Sequence, residues 1–452
     1  MSSVRKLVAA AAVVAALSAL AVGCTEGNPG AEQSPSPSVA SPSAKSGPVT
    51  LRFAVYGAKG LVAAYREMAE AFTSSNPQVR VRIEHSPDAA TATQQLESQF
   101  LKNDAPDVFL TGQERLPDLV AKGRVQPLDA LLEERAVDFG DGYQRDALEA
   151  FSEEAALQCM PSDVSPLVVY YNKSLVDPRS LTVEDGDEPP TAREGWDWEQ
   201  FSLAARRAAR GRPNGLYIEP DLKTLAPFVW SGGADLVDDL EVPTSLTLSS
   251  GDSMAAIEEV LSLLRDPDVS PSREQLADKG AIDRFKQGQL GMVLGTRALL
   301  PELRAVRGFD FDVFPLPSLG APATISSISG YCMSSGTEDI EAAADFIAFA
   351  VSRQGATITG RSGYVVPSNV EVAHSRAFNQ PGKQPANAFL FSDGIQRANE
   401  TPFVAEWPQV IRETRPLLDR MFYAPVIDLE ALLTEIDARS QRILAPEEAD
   451  AE

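Results

Sequence analysis

Two short polar stretches stand where apolar, strand-like runs end. Tyr56-Gly57 closes one, and Thr111-Gly112-Gln113-Glu114 closes another. In open α/β sheets such positions, beyond the carboxyl ends of strands, face the ligand crevice. Amides and carboxylates offer planar, bidentate partners to neighbouring hydroxyls, and aromatic rings offer flat faces to C–H surfaces. Tyr56, Gln113, Glu114 and, further along, Asp163 have the side chains for holding a polyhydroxylated molecule. Three of them also have a plainer reading: loop surface for Tyr56 and Gln113, a turn or helix cap for Asp163.

Other chemistry has little foothold. The 452 residues include two histidines, His85 and His374, far apart in sequence, which argues against a histidine metal centre or a histidine-dependent triad. There is no nucleophile elbow, no H-E-x-x-H and no glycine-rich phosphate loop, since Gly57 to Gly60 lacks the spacing. With Asp+Glu at 64, carboxylate pairs are inevitable, so their abundance is no sign of glycoside hydrolysis. Against 40 Lys+Arg this gives a net charge of −24, and an acidic body repels nucleic-acid phosphates. Three cysteines are too few for a disulfide scaffold or a zinc ribbon. Neither a metal nor a cofactor is expected.

The elements that must position these residues follow an N-terminal address. Arg5-Lys6 precedes Leu7 to Leu20, a run of Leu, Val, Ala and one Ser, as in a secretory signal. That run reaches roughly 21 Å, short of the ~30 Å hydrocarbon core, so it is not a spanning helix. Leu20-Ala21-Val22-Gly23-Cys24 then resembles a bacterial lipobox, in which a peptidase cuts before the cysteine and its thiol is acylated. The Leu usual three places before the cysteine stands one place earlier, with Ala21 instead. Acyl chains on Cys24 would anchor the protein to the extracytoplasmic face of the cell membrane. Thr25 to Pro48, rich in Ser, Pro and Gly, reads as a semi-extended tether. The expected division is 1–23 signal peptide, 24–48 lipidated cysteine and tether, and a folded body from 49.

In the body, Val49, Leu51, Phe53 and Val55 alternate with polar or small neighbours as a strand. Leu61, Tyr65, Met68 and Phe72 recur at helical spacing until Asn76-Pro77, and Val79, Val81 and Ile83 form a second strand. A strand–helix–strand unit of this length implies a parallel pair. A helix over 93–102 leads to a strand over 107–110. Further strands are expected at 167–171, 291–295 and 311–315. Helices are expected at 198–210, capped by Asp197, after Asp252, and at 340–351. The tail, 407–444, reads as nearly all helix, broken at Pro416 and Pro425. Alternation without one dominant sheet suggests two α/β lobes.

In this order the segments resemble the extracellular solute-binding proteins of ABC importers, the carbohydrate-leaning branch often called family 1. Phe72 through Asn76-Pro77 is similar to the family's opening, and Asn103-Asp104-Ala105-Pro106-Asp107-Val108 to its following turn. Gly123 to Leu128 looks like a helix exit of the family. Met160-Pro161-Ser162-Asp163 with Tyr170-Tyr171-Asn172-Lys173, then Gly195 to Phe201, Phe285 to Met292, and Gly363 to Pro367 continue the likeness. Each is unspecific alone, but the seven keep the family's order and spacing over nearly the whole folded chain.

The resemblance implies a periplasmic-binding-protein-like fold of type II, α/β, with two lobes, a hinge and an inter-lobe cleft that closes on a small ligand. The ligand implied is a mono- or oligosaccharide, delivered by a monomer to an ABC permease, without catalysis. Lobe 1 is expected at 49–160 plus 332–395 and lobe 2 at 163–330 plus 398–446. Trp230-Ser231-Gly232-Gly233 matches a family loop, with Trp230 as stacking face and Gly232 allowing close backbone approach; a buried core tryptophan is the alternative. Gly295-Thr296-Arg297 stands where the family often has an aromatic. Arg297 departs from that pattern and, in a cleft, would favour an oxygen-rich, acidic ligand. Tyr331, Arg361 and Tyr364 are further candidates, while Trp196 and Trp198 read as packing. Cys159 and Cys332 lie in the expected crossings, which pair in space in related proteins, so a disulfide or two buried thiols is implied. The rivals are a secreted carbohydrate-active enzyme, a binding protein for a non-sugar solute and an adhesive lipoprotein.

Overall fold

The computed structural model describes residues 48–446, apart from 154, 183–187 and 212–213. The signal peptide, Cys24 and nearly all of the tether therefore lie outside the described residues. In chain order the strands are β1 (Val49–Tyr56), β2 (Val79–Ser86), β3 (Val108–Gly112), β4 (Val125–Gln126), β5 (Ser152–Glu153), β6 (Ala156–Leu157), β7 (Cys159–Pro166), β8 (Val168–Asn172), β9 (Asn214–Tyr217), β10 (Leu290–Gly295), β11 (Phe311–Phe314), β12 (Thr324–Ser334) and β13 (Ala398–Asn399).

The first sheet grows from the alternating segments. β1 runs parallel to β2 from Val49 opposite Val79 to Tyr56 opposite Ser86, and β3 lies parallel on its other side. The helices Lys59–Ser75 and Ala89–Leu101 connect these strands. Leu51, Phe53 and Val55 point into the core, whereas Arg52 turns out to Glu84 at 2.7 Å. β12 completes the sheet: antiparallel to β3, β4 and β7, and parallel to β13 at its start. No strand was expected over 324–334, because Ser326, Ser327 and Ser329 break the apolar alternation.

The second sheet has the order β11-β8-β10-β9, with β8 antiparallel to both neighbours. It is buried on both faces. Val168 and Tyr170 join the core of the first sheet, while Val169 and Tyr171 join a second core with Trp196, Trp198, Phe201 and Phe228. The tail helices Trp407–Tyr423 and Leu429–Leu444 supply Trp407, Leu418, Met421 and Leu433 to that second core.

The chain passes between sheets at Leu167, returns over 315–323, and leaves again after β13. The sequence places the first two passages at 160–163 and 330–332, but those residues lie inside β7 and β12, which pair within the first sheet from Cys159 opposite Cys332 to Pro166 opposite Ser326. Asp197 caps the helix Trp198–Ala208 in a reciprocal box with Gln200. The helix Gly251–Leu264 is capped by Ser250, with Asp252 in its first turn rather than before it. Pro416 does not break the tail: the helix runs through it, held by buried Val410, Thr414, Leu418 and Met421, and the break comes at Pro425. No helix among the described residues is long and apolar enough to cross a membrane.

Candidate functional site

β12 brings the polar ends of the first sheet together. Its Ser329 stands opposite Gly112 of β3 on one side and Asp163 of β7 on the other. The Tyr56 hydroxyl lies 3.4 Å from Ser329 Oγ, and Ser162 Oγ donates to Asp163 Oδ2 at 2.7 Å. Asp163 is 6% exposed. Burial pushes its carboxyl up to about 7, against the pull of the Ser162 hydroxyl. Burial also raises the Tyr56 phenol; Ser329 opposes this, and Asp163 and Glu114 add to it.

Two cavities open at this edge. The smaller, about 50 Å³, lies at the ends of β1 and β3 and is lined by Tyr56, Ser86, Thr111, Glu114 and Arg115. The larger, about 510 Å³, has the size of a small-molecule site. Its wall takes Gln113 after β3, Asp146 and Glu149 of the helix Arg145–Glu149, Ser152 of β5, and Ser326 and Ile328 of β12. Asn399 of β13 and Glu400, Thr401 and Phe403 of the third passage close another side, and Glu241 reaches in from the loop 232–250. That loop is rooted in the second core by Leu236, Val237, Leu246 and Leu248. The cavity thus lies between elements of the first sheet and elements of the second core. Its hydroxyls, amides, carboxylates and phenyl ring suit a polar molecule with some flat C–H surface.

Of the residues singled out in the sequence, Tyr56 and Glu114 meet at the small cavity and Gln113 lines the large one. Trp230, half-buried, ends the helix Leu222–Ser231 against the second core. Gly232 caps that helix, and a Cβ there would come 2.7 Å from Ala256 Cβ, so helix packing requires the glycine. Tyr331 is buried edge-on against Phe53, with ring centroids 5.8 Å apart. Arg361 is exposed and pairs with Glu67. Tyr364 lies over Gly60, where a Cβ would meet its hydroxyl at 2.7 Å.

Arg297 is fully buried and does not line the large cavity. Its guanidinium carbon sits 3.7 Å from the Phe378 ring centre and 5.3 Å from that of Phe391, and Nη2 donates to the Phe378 carbonyl at 2.8 Å. Burial pushes its pKa down to about 9. The acidic ligand that an arginine in the cleft would favour therefore loses its motive. Cys159 and Cys332, register partners on β7 and β12, are joined as a disulfide with Cα atoms 4.4 Å apart.

Asp146, Glu149, Glu241, Asn399, Glu400 and Phe403 were not anticipated. They sit on short or irregular segments that carry no periodic signal; only the polar Asn399-Glu400-Thr401 punctuation between apolar stretches hints at a functional loop. No group of His, Cys, Asp and Glu that could hold a metal ion occurs among the described residues.

A family model described as bacterial extracellular solute-binding protein matches residues 67–386. Among solved structures, an ABC substrate-binding protein from Listeria monocytogenes in complex with cycloalternan is 21% identical, with a TM-score of 0.76 over 88% of this chain and 99% of that one. A Streptomyces glaucescens receptor, solved unliganded and with acarbose, is 19% identical, with a TM-score of 0.73 over 88% and 98%. A Mycobacterium tuberculosis protein in complex with glycerophosphocholine is 20% identical, with a TM-score of 0.71 over 89% and 99%. At these identities the likeness is one of fold.

Proposed function

Because the chain belongs to the bacterial extracellular solute-binding proteins, we propose that its cleft of about 510 Å³ captures a mono- or oligosaccharide and delivers it to the permease of an ABC importer. The cavity itself carries this reading. Its walls come from elements of the first sheet, from the third passage and, through Glu241, from a loop rooted in the second core, so movement of that second core relative to the first sheet would open or close it. Gln113, Ser152, Ser326, Asn399 and Thr401 supply hydrogen-bonding groups for ring hydroxyls, and Phe403 a face for ring C–H bonds. The solved relatives bound to cycloalternan and to acarbose support a saccharide. The protein works outside the cytoplasm as a monomer, held by lipid on Cys24, and releases its ligand chemically unchanged.

A thermal-shift screen of the Cys24→Ser chain against a saccharide library tests this. Saturating ligand should stabilise it by about 2.7 kcal/mol at a hundredfold excess over Kd. No shift with any saccharide, or cleavage of a glycoside, overturns the reading. Mass spectrometry of the unsubstituted protein from membranes should show acyl chains on Cys24; an unmodified thiol there removes the anchor.

A further inference from the structure

We propose that the cleft prefers a saccharide bearing a protonated amine to its neutral counterpart, and rejects carboxylated or phosphorylated ones. This rests on reading the cavity as the ligand cleft. Four carboxylates line it, Asp146, Glu149, Glu241 and Glu400, and neither Lys nor Arg does. They converge from three separate segments, one of them rooted in the second core, so a molecule between the two parts meets negative charge from both sides. Glu149 is engaged by Arg145 at 2.9 Å in an exposed pair. Among the described residues no ion pair holds Asp146, Glu241 or Glu400. Carboxylates only accept hydrogen bonds. Gln113 Oε1, buried and without a partner, adds another acceptor to the same wall. A cavity so rich in acceptors is completed by a ligand rich in donors, and an ammonium supplies three donors together with the missing charge. A carboxylate or phosphate on the ligand would bring more acceptors and a like charge. Four lining carboxylates explain a preference that the chain's overall acidity does not, because they sit within contact range of whatever fills the cavity.

Calorimetric titration of the Cys24→Ser chain with matched sets tests this. One set is glucose, glucosamine and glucuronate; the other is cellotriose, the chitosan trisaccharide and the corresponding glucuronic trisaccharide. At about 20 mM salt the amine should bind roughly fivefold to tenfold tighter than the neutral sugar, and the uronate weakest, with the spread shrinking as salt shortens the Debye length. Glu241→Gln with Glu400→Gln should lower the amine-to-neutral ratio. Neutral sugars that bind as well as the amines or better, or a ratio indifferent to salt and to both substitutions, overturn the preference while leaving saccharide capture intact. Failure of every compound to bind overturns the saccharide reading and this inference with it.

Discussion

Asp163 and Ser329 face one another across β7 and β12 at the step where the two strands lose register: Ser329 pairs with Asp163, but the next residue, Gly330, pairs with Pro161. Ser162 is the residue left over. Its hydroxyl, 2.7 Å from Asp163 Oδ2 and 3.0 Å from the Ser329 carbonyl, fills the bulge. A buried carboxyl thus sits at an irregular joint of the strands that lead from one sheet to the other.

That carboxyl makes stability depend on pH with a definite sign. Its folded pKa of about 7 lies above the ordinary 3.8, so the folded state holds the proton more tightly than the unfolded state. The resulting stability is present at low pH and is lost as pH rises from about 4 through about 7. Asp163→Asn lacks this loss. Relative to the unsubstituted protein it should gain on the order of 2–4 kcal/mol between pH 5 and pH 8, read from urea melts at both. A difference between the two proteins that does not change with pH would refute the assignment.

The disulfide between Cys159 and Cys332 ties residues 173 apart in sequence. Cross-linking so long a loop restricts the unfolded chain strongly, and Cys159→Ala with Cys332→Ala should cost about 2–5 kcal/mol. Guanidinium melts of the double variant would show the lower midpoint; an unchanged midpoint would contradict it.

Arg297 holds a charge between two phenyl rings, with Nε and Nη1 buried and unpartnered among the described residues. Truncation to Ala leaves a cavity as well as an unpaired Phe378 carbonyl, and should cost about 3 kcal/mol or more. Arg297→Met leaves the same carbonyl unpaired but keeps much of the volume and removes the buried charge, so it should cost less than the Ala variant, about 1–2 kcal/mol. Thermal melts of both variants check the order, and a Met variant as damaged as the Ala variant would speak against it.

Gly215 of β9 touches the helix Trp198–Ala208 so closely that a Cβ would lie 2.0 Å from the Ala205 carbonyl oxygen. Gly215→Ala should therefore lose about 1–3 kcal/mol through overpacking. Gly251, at the start of its helix, has nothing within 4 Å of a Cβ, and Gly251→Ala should be neutral or mildly stabilising. Equal effects at the two sites would show that the close approach relaxes freely.

Much of the architecture could be read from periodicity because burial enforces it. β1 and β2 alternate since one face of each meets the core, and the helix Lys59–Ser75 shows Leu61, Tyr65, Met68 and Phe72 on one side for the same reason. β12 was missed because a strand flanked on both edges draws much of its stability from backbone pairing, which leaves serine acceptable at 326, 327 and 329. The site divides in the same way. Gln113 was legible because it follows a strand end. Glu241 and Glu400 were not, since their place in the cavity depends on how distant segments meet. Arg297 misled because its position in the sequence resembles a cleft position, while the fold turns the side chain inward onto Phe378 and Phe391.

β12 also sets an order on biosynthesis. β3 finds its antiparallel neighbour only when residues 324–334 exist, more than two hundred positions after its own. Until then the β3 edge is open and the first core lacks Tyr331, Cys332 and Met333. Contacts so distant in sequence form slowly. A growing or threading chain therefore stays unfinished until most of it has been made, and a protein stopped short of Thr324 has no closed first sheet to retain.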